Sequence, residues 1–244
     1  MTESTDSAPA APPPAKASVA EDFVDIFLSP REVFARRANS GFFLVMVIIT
    51  LLVGGLFLAN RGTMEGIMNA EFERGMAQAM KANPSMTAEQ AEMGRKFAGY
   101  TTTIGTFIFL PIAMLLTGLC AWLTAKILGA KLRYQAATMI ATYSFMPRVI
   151  ESLGVAVQGL LMDTSGLRGR FQLSLGVGRF LDPEMNQGLL GLVGRLDVFT
   201  IWVTVLLAIG ITVVAKLPKD KAVVAGVVMW AFGALPSVWA FFRA

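Results

Sequence analysis

The sequence contains no histidine and only one cysteine, and these absences exclude several kinds of chemistry. A Ser-His-Asp triad needs a histidine base, so hydrolases of that type are excluded. Zinc sites built from cysteine and histidine are excluded too, as are disulfides within the chain. Cys120 lies in an uncharged apolar run, which favours a packing role. The acidic residues are scattered or lie beside basic ones, so the sequence predicts no catalytic, metal or cofactor-binding site.

Charge is also scarce, since only 16% of the residues are charged and 55% are apolar. A soluble domain is about 45–50% apolar. The net charge of +4 comes with no basic stretch interleaved with aromatic residues, so nucleic acid is not an expected partner. The basic residues instead flank apolar runs, where phospholipid headgroups explain them better. Membrane lipids are therefore the first expected partner.

Long apolar runs account for the excess of hydrophobic residues. The shortest of them, Phe42–Ala59, would cover about 27 Å as a helix, close to the hydrocarbon core of a bilayer. None shows the polar stripe that a helix on the surface of a soluble core would need. The fold class predicted is an all-α polytopic transmembrane bundle over residues 19–242, with spans at about 42–59, 101–125, 136–162, 198–215 and 222–242. The runs behind them are Phe42–Ala59, Phe97–Ala125, Ala136–Met162, Val198–Ala215 and Ala222–Phe242.

The N-terminal region precedes the first span. Residues 1–18 are rich in Pro, Ala and Ser, lack the early apolar core of a signal peptide, and are predicted to form a disordered cytoplasmic tail. Two capping boxes, Ser18 with Glu21 and Ser29 with Glu32, predict two short amphipathic helices over residues 19–37. Pro30 fits the first position of the second helix. These helices either lie at the membrane surface or pack on the cytoplasmic end of the bundle.

Two polar connections carry further signals. Between the first two spans, Asn83-Pro84 should end one helix and Thr87 with Gln90 should begin the next. Between the third and fourth spans, the apolar stretch Gly188–Leu196 is predicted to be re-entrant or to lie on the surface.

The third run differs from the others because it contains charged residues. Arg148 and Glu151 are spaced i, i+3, so they share a helical face and can pair. Each charge would cost about 2.5–3.5 kcal/mol at the centre of a membrane helix, so this helix should face its neighbours. Pro147 should kink it. With Tyr143, these residues form a candidate intramembrane polar site, which either lines a cavity or partner site or is a structural ion pair.

Charge near the span ends decides the orientation. An odd number of spans places the termini on opposite sides, and the two short connections after the second and fourth spans are basic. The positive-inside rule then places the N-terminus in the cytoplasm. Arg36, Arg37, Lys131, Arg133 and Tyr134 become candidate contacts for headgroups or partners on that side. In the fifth span, Gly226 and Gly233 permit close helix contact and, by that route, formation of a homo-oligomer.

Several segments, in this order, resemble the Yip-domain family of polytopic membrane proteins. They are Leu28–Phe34 (LSPREVF), Leu128–Tyr134 (LGAKLRY), Ala141–Pro147 (ATYSFMP), Ala208–Gly210 (AIG) and Lys219–Ala222 (KDKA). Together they cover most of residues 22–242. The resemblance implies five spans, a cytoplasmic N-terminus and no catalysis. The chain looks more like the bacterial members than like those that bind Rab-type GTPases, because its tail lacks an extended acidic and aromatic segment.

Two functions from different classes remain from this evidence. The first is a non-enzymatic scaffold or adaptor of the bacterial cytoplasmic membrane that organises partner proteins or lipids. The second is a component of a small-solute or ion transporter or channel that uses the Arg148–Glu151 pair. The second reading has less support, because no inverted repeat is visible in the sequence.

Overall fold

A computed structural model of the protein describes residues 17–243. The predicted disordered tail, residues 1–18, lies outside these residues except for Ala17 and Ser18. Within them no strand forms, and β-type pairing is limited to one bridge between Gly176 and Asp197. The protein is all-α, as predicted. Its helices are α1 (Val19–Leu28), α2 (Pro30–Arg37), α3 (Phe43–Ala59), α4 (Arg61–Ala82), α5 (Ala88–Ile127), α6 (Tyr134–Ser144), α7 (Pro147–Leu161), α8 (Gln187–Gly194), α9 (Val198–Val214) and α10 (Lys221–Arg243), with short 3₁₀ helices at Arg170–Leu173 and Val177–Phe180.

Membrane-spanning capacity is clearest in two of these helices. By length and hydropathy, Glu89–Ile127 and Lys221–Phe242 can each cross a bilayer. A third span results if α3 and α4 are counted together, although they are bent by 85° where they meet. Helix α9 is apolar but shorter than 18 residues. The described residues therefore contain two to three candidate spans by these measures.

Helices α1 and α2 pack on the bundle, which is the second of the two arrangements expected for them. Ile26, Val33 and Phe34 are fully buried in the main hydrophobic core. The ring of Phe27 packs edge-on against Trp202 of α9, with 5.0 Å between ring centroids. The protein itself, and not the membrane surface, thus covers these apolar side chains.

The predicted helix boundaries are confirmed at three of four positions. The Ser18–Glu21 and Thr87–Gln90 capping boxes both form, and α4 ends immediately before Asn83. The box at Ser29 does not form, because its side chain makes no capping hydrogen bond. Ser29 also terminates α1, where its N–H donates to Asp25 O at 2.7 Å. Its ψ of 57° lies outside the β region that a capping side chain normally requires.

The third apolar run is broken into α6 and α7 at the position where Pro147 predicted a kink. Pro147 begins α7, where the missing N–H leaves no bond unmade. The two residues before it close the end of α6 with tight turns, Phe145 N–H to Thr142 O at 3.1 Å and Met146 N–H to Tyr143 O at 3.2 Å. Because the chain is interrupted here, the side chains on either side of the break point to different neighbours.

Glycines allow the helices of the core to approach closely. A Cβ on Gly118 of α5 would lie 2.8 Å from Thr138 Cα, so α5 and α6 meet backbone to backbone. A Cβ on Gly210 of α9 would lie 2.5 Å from a methyl group of Ile140. Gly188 brings α8 against the backbone of Phe241, so the apolar stretch that begins there covers α10. Around this core, large apolar side chains such as Phe109 remain exposed, which is typical of a surface that contacts lipid.

Candidate functional site

A buried acidic residue organises the N-terminal end of the bundle. Asp22 is fully buried, and its two carboxylate oxygens accept from Arg36 Nε at 2.9 Å and Arg37 Nε at 2.6 Å. Arg36 also binds Asp25 at 2.6 Å, and Arg37 donates to Ala17 O at 2.5 Å. Burial lowers the pKa of the Arg36 guanidinium, but the hydrogen bonds and charges of Asp25 and Asp22 outweigh it and raise that pKa overall. Both arginines are held in one ion-pair cluster around Asp22.

Tyr143 belongs to this cluster and not to the site that the sequence predicted for it. Its hydroxyl donates to Asp22 Oδ2 at 3.0 Å, and its side chain is buried. Tyr143 lies before the α6–α7 break and Arg148 lies after it, so the two side chains serve different sites. The predicted grouping of Tyr143 with Arg148 and Glu151 is wrong in this respect.

Arg148 and Glu151 pair as the sequence predicted. Arg148 Nη1 lies 2.5 Å from Glu151 Oε2, and Arg148 Nη2 donates to Thr200 Oγ1 at 3.1 Å. Thr200 N–H in turn donates to Asp197 Oδ1 at 3.2 Å, at the start of α9. About a quarter of each charged side chain remains exposed, 29% for Arg148 and 26% for Glu151. The pair links α7 to α9 through Thr200 and lines a cavity, and the choice between a partner site and a structural ion pair stays a prediction.

The two short basic turns lie at one end of the bundle, together with α1 and α2. Arg133 in the α5–α6 turn donates to Asn39 Oδ1 at 2.7 Å, which ties that turn to the segment after α2. Gly210, near the end of α9, lies against Phe34 of α2 and Ile140 of α6, so the α9–α10 turn follows at the same end. We call these two turns the basic end. Its exposed cations are Lys131, Arg133, Lys216, Lys219 and Lys221.

The α5–α6 turn is the most accessible part of the basic end. Lys131 and Arg133 line a shallow surface cavity of about 460 Å³. Tyr134 follows them and anchors the turn, because its hydroxyl donates to Leu115 O at 3.2 Å while its ring stays partly exposed. Lys126 stacks over the Trp122 ring at 3.7 Å. A polar ligand or headgroup can therefore reach these cations without any rearrangement of the helices.

Three important residues were not predicted as site residues from the sequence. Asp22 was one acidic residue among several in an amphipathic helix, and nothing nearby in the sequence indicates that it is buried. Asp197 and Arg195 lie just before α9. An aspartate at this position is expected as a helix cap and a single arginine as a surface cation, so neither residue indicates a site. Arg195 packs on α10, and burial together with the charge of Arg148 lowers the pKa of its guanidinium.

The glycines proposed for self-association have neighbours within the chain. A Cβ on Gly233 would lie 2.5 Å from Arg195 Nη2, and one on Gly226 would lie 3.5 Å from Ala208 Cβ of α9. The small size of Gly233 therefore serves a contact inside the bundle, whereas a Cβ at Gly226 would make only an ordinary van der Waals contact. Homo-oligomer formation stays a prediction.

The amino-acid sequence matches the model of one known protein family. The Yip1 domain profile matches residues 24–240, nearly the whole chain. The chain belongs to the Yip1 domain family. No curated protein and no solved structure gives a significant match. The Yip1 domain thus begins inside α1 and includes the Asp22-linked arginines, both basic turns and the Arg148–Glu151 pair.

Proposed function

We propose that this Yip1 domain protein is a non-enzymatic scaffold or adaptor that organises partner proteins or lipids at the cytoplasmic membrane of a bacterium. The observation that carries the proposal is the basic end. It combines exposed cations with an accessible shallow cavity, and Arg133 ties it to Asn39 in the segment after α2. Fixed cations on rigid elements attract acidic surfaces or anionic headgroups without a large entropic cost.

Five spans are part of this proposal. Helices α5 and α10 are long enough to span, and α3 and α9 are apolar helices of 17 residues each, about 25 Å long. The remaining span, the third in chain order, is the broken pair α6 and α7. A broken helix is tolerated in a membrane when protein covers the free backbone groups, and residues 136–144 are all buried.

The same arrangement supports a cytoplasmic N-terminus. Loops rich in lysine and arginine stay in the cytoplasm, and the basic end is held against α1 and α2. In that orientation Arg36, Arg37, Lys131, Arg133 and Tyr134 lie on the cytoplasmic side. Arg36 and Arg37 hold the N-terminal helices in place, and Lys131 and Arg133 are the residues that contact partners or headgroups.

Crosslinking in native membranes tests the scaffold. A photoreactive residue replaces Lys131 in one variant and Arg168, in the connection at the other end, in a control. We expect specific protein or lipid crosslinks from position 131 that are lost when Arg133 and Lys126 are changed to Gln. Identical crosslinks from both positions, or crosslinks that persist after the charges are removed, would contradict the proposal.

A further inference from the structure

One cavity is lined by three residues that each carry a buried polar atom without a hydrogen-bond partner within residues 17–243. The atoms are Ser174 Oγ, Arg195 Nε and Asp197 Oδ2. The cavity has a volume of about 380 Å³ and also reaches the Arg148–Glu151 pair. Buried polar groups are normally paired, and leaving them unpaired costs stability. Three such residues around one cavity indicate a binding site for a polar ligand.

The two carboxylate oxygens of Asp197 have different surroundings. One oxygen, Oδ1, caps α9 by accepting from Phe199 N–H at 2.9 Å and Thr200 N–H at 3.2 Å. The other oxygen, Oδ2, is buried without a hydrogen-bond partner among the described residues, and Asp197 is one of the residues that line the cavity. Capping of the helix explains the first oxygen but not the second. The second oxygen is placed to accept from a hydrogen-bond donor inside the cavity.

The cationic side of the cavity is held by α10. Arg195 Nη1 donates to Gly233 O at 2.8 Å and Nη2 to Trp230 O at 3.0 Å, and the guanidinium lies 5.2 Å from the Trp230 ring. These contacts fix the side chain but leave its charge without a carboxylate, because no ion pair within residues 17–243 involves Arg195. Arg170 lies at the exposed rim of the same cavity. An anionic group bound in the cavity would give the Arg195 guanidinium the ion-pair partner that it lacks among the described residues.

An apolar groove begins where the polar cavity ends. It lies between α5, α9 and α10 and has a volume of about 520 Å³. Arg148, Arg195 and Thr200 line both spaces. The rest of the groove is mainly apolar and includes Leu116, Leu119, Cys120, Phe232, Leu235 and Pro236. A ligand that occupies both spaces must have a charged end and a hydrocarbon end.

We propose that the cavity and groove together bind one phospholipid, with its phosphate-containing headgroup against Arg195 and its acyl chain along α5 and α10. Guanidinium groups suit phosphate because they offer several donors in a fixed plane. Asp197 Oδ2 accepts from the ammonium or hydroxyl group of the headgroup. The polar cavity lies within the range of about 300–1,000 Å³ that is typical of small-ligand sites. This site is at the opposite end of the bundle from the basic end, so it does not depend on the scaffold proposal.

Lipid titration of the full-length protein in mild detergent tests the site, with bound lipid counted by native mass spectrometry. The probes are phosphatidylethanolamine, phosphatidylglycerol, the soluble headgroup glycerophosphoethanolamine, and diacylglycerol, which lacks the phosphate. The variants are Asp197→Asn, Arg195→Gln and the control Arg168→Gln, which removes an exposed cation from the same connection. Asparagine caps helices about as well as aspartate, so Asp197→Asn keeps the start of α9.

We expect one phospholipid to bind with an affinity that falls about tenfold in Asp197→Asn and in Arg195→Gln, and that is unchanged in Arg168→Gln. Labelling of the Cys120 thiol, which lines the groove, should slow when phospholipid is added to the wild type. If Arg195→Gln fails to fold, Asp197→Asn decides the question. Equal affinities in all variants, or equal binding of diacylglycerol, would overturn the proposal. Equal binding of the soluble headgroup would also overturn it, because the ligand would then be a free phosphate ester.

Discussion

The Tyr143 hydroxyl donates a hydrogen bond to Asp22 Oδ2 at 3.0 Å, although the two residues are 121 positions apart. This bond joins the N-terminal helices to the end of α6, immediately before the third apolar run breaks. Because Asp22 also holds Arg36 and Arg37, one buried carboxylate connects α1, α2 and α6. The position of the two arginines, and of the basic turn next to them, depends on it.

Asp22→Asn should therefore destabilise the protein more than the same change at Asp25, the other acidic residue of α1 that binds Arg36. The substitution removes the charge shared by two arginines, and we expect the free energy of unfolding to fall by about 2 kcal/mol. Unfolding in detergent, followed by circular dichroism, measures the change. Asp25→Asn is the matched control, because Asp25 binds only Arg36 through its side chain and is 35% exposed. Equal losses in the two variants would show that the cluster is not organised by Asp22.

Tyr143→Phe separates the hydrogen bond from the packing of the ring. It removes only the hydroxyl, and Asp22 keeps both arginines, so we expect a loss of about 1 kcal/mol. The same unfolding measurement applies. A loss as large as that of Asp22→Asn would show that the tyrosine, and not the arginines, satisfies the carboxylate.

Gly210→Ala should destabilise the bundle despite the better helix propensity of alanine. The added methyl group would lie 2.5 Å from Ile140 Cγ2 and 3.1 Å from Phe34 Cε1, so buried side chains must shift. We expect a cost of about 1–2 kcal/mol. Gly55→Ala in α3 is the control, because no atom lies within 4 Å of its added Cβ. That control should be neutral or stabilising by up to about 1 kcal/mol. The packing of α9 on α6 and α2 would be in doubt if both variants behaved alike.

Replacing the Arg148–Glu151 pair distinguishes a structural role from a role in transport. Arg148→Met or Glu151→Leu alone leaves a partly buried charge without its partner, and each should cost about 1–2 kcal/mol. The double variant should recover much of that loss, since a pair of apolar residues leaves no charge unpaired.

Solute flux in reconstituted vesicles should match that of empty vesicles for both the wild type and the double variant. Flux in the wild type that disappears in a stable double variant would favour the transporter over the scaffold.

Local signals in the sequence predicted much of the fold. Thr87 with Gln90 and Asn83-Pro84 marked real helix ends, because caps and breakers act within one turn. Pro147 predicted the break for the same reason, and the i, i+3 spacing predicted the Arg148–Glu151 pair. Ser29 shows the limit of such signals, since one residue ends α1 and begins α2 and cannot adopt the conformation that its own cap needs.

The sites were less predictable because they depend on distant residues. Nothing within a few positions of Asp22 identifies it as the centre of an ion cluster, since its partner Tyr143 comes from another helix. The cavity beside Arg148 is completed by Arg195 and Asp197, which meet it only after α7, α9 and α10 have packed. Spacing along one helix cannot reveal such a set.

The crossing of the bilayer by the broken α6–α7 pair is the central claim, and site-specific labelling tests it most directly. In a Cys120→Ser background, Lys131→Cys and Ser165→Cys place one thiol before α6 and one after α7. A membrane-impermeant reagent applied to intact cells should label position 165 and not position 131. With inverted vesicles the pattern should reverse. Labelling of both positions from the same side would contradict the account, because α6 and α7 would then enter and leave the membrane on one face.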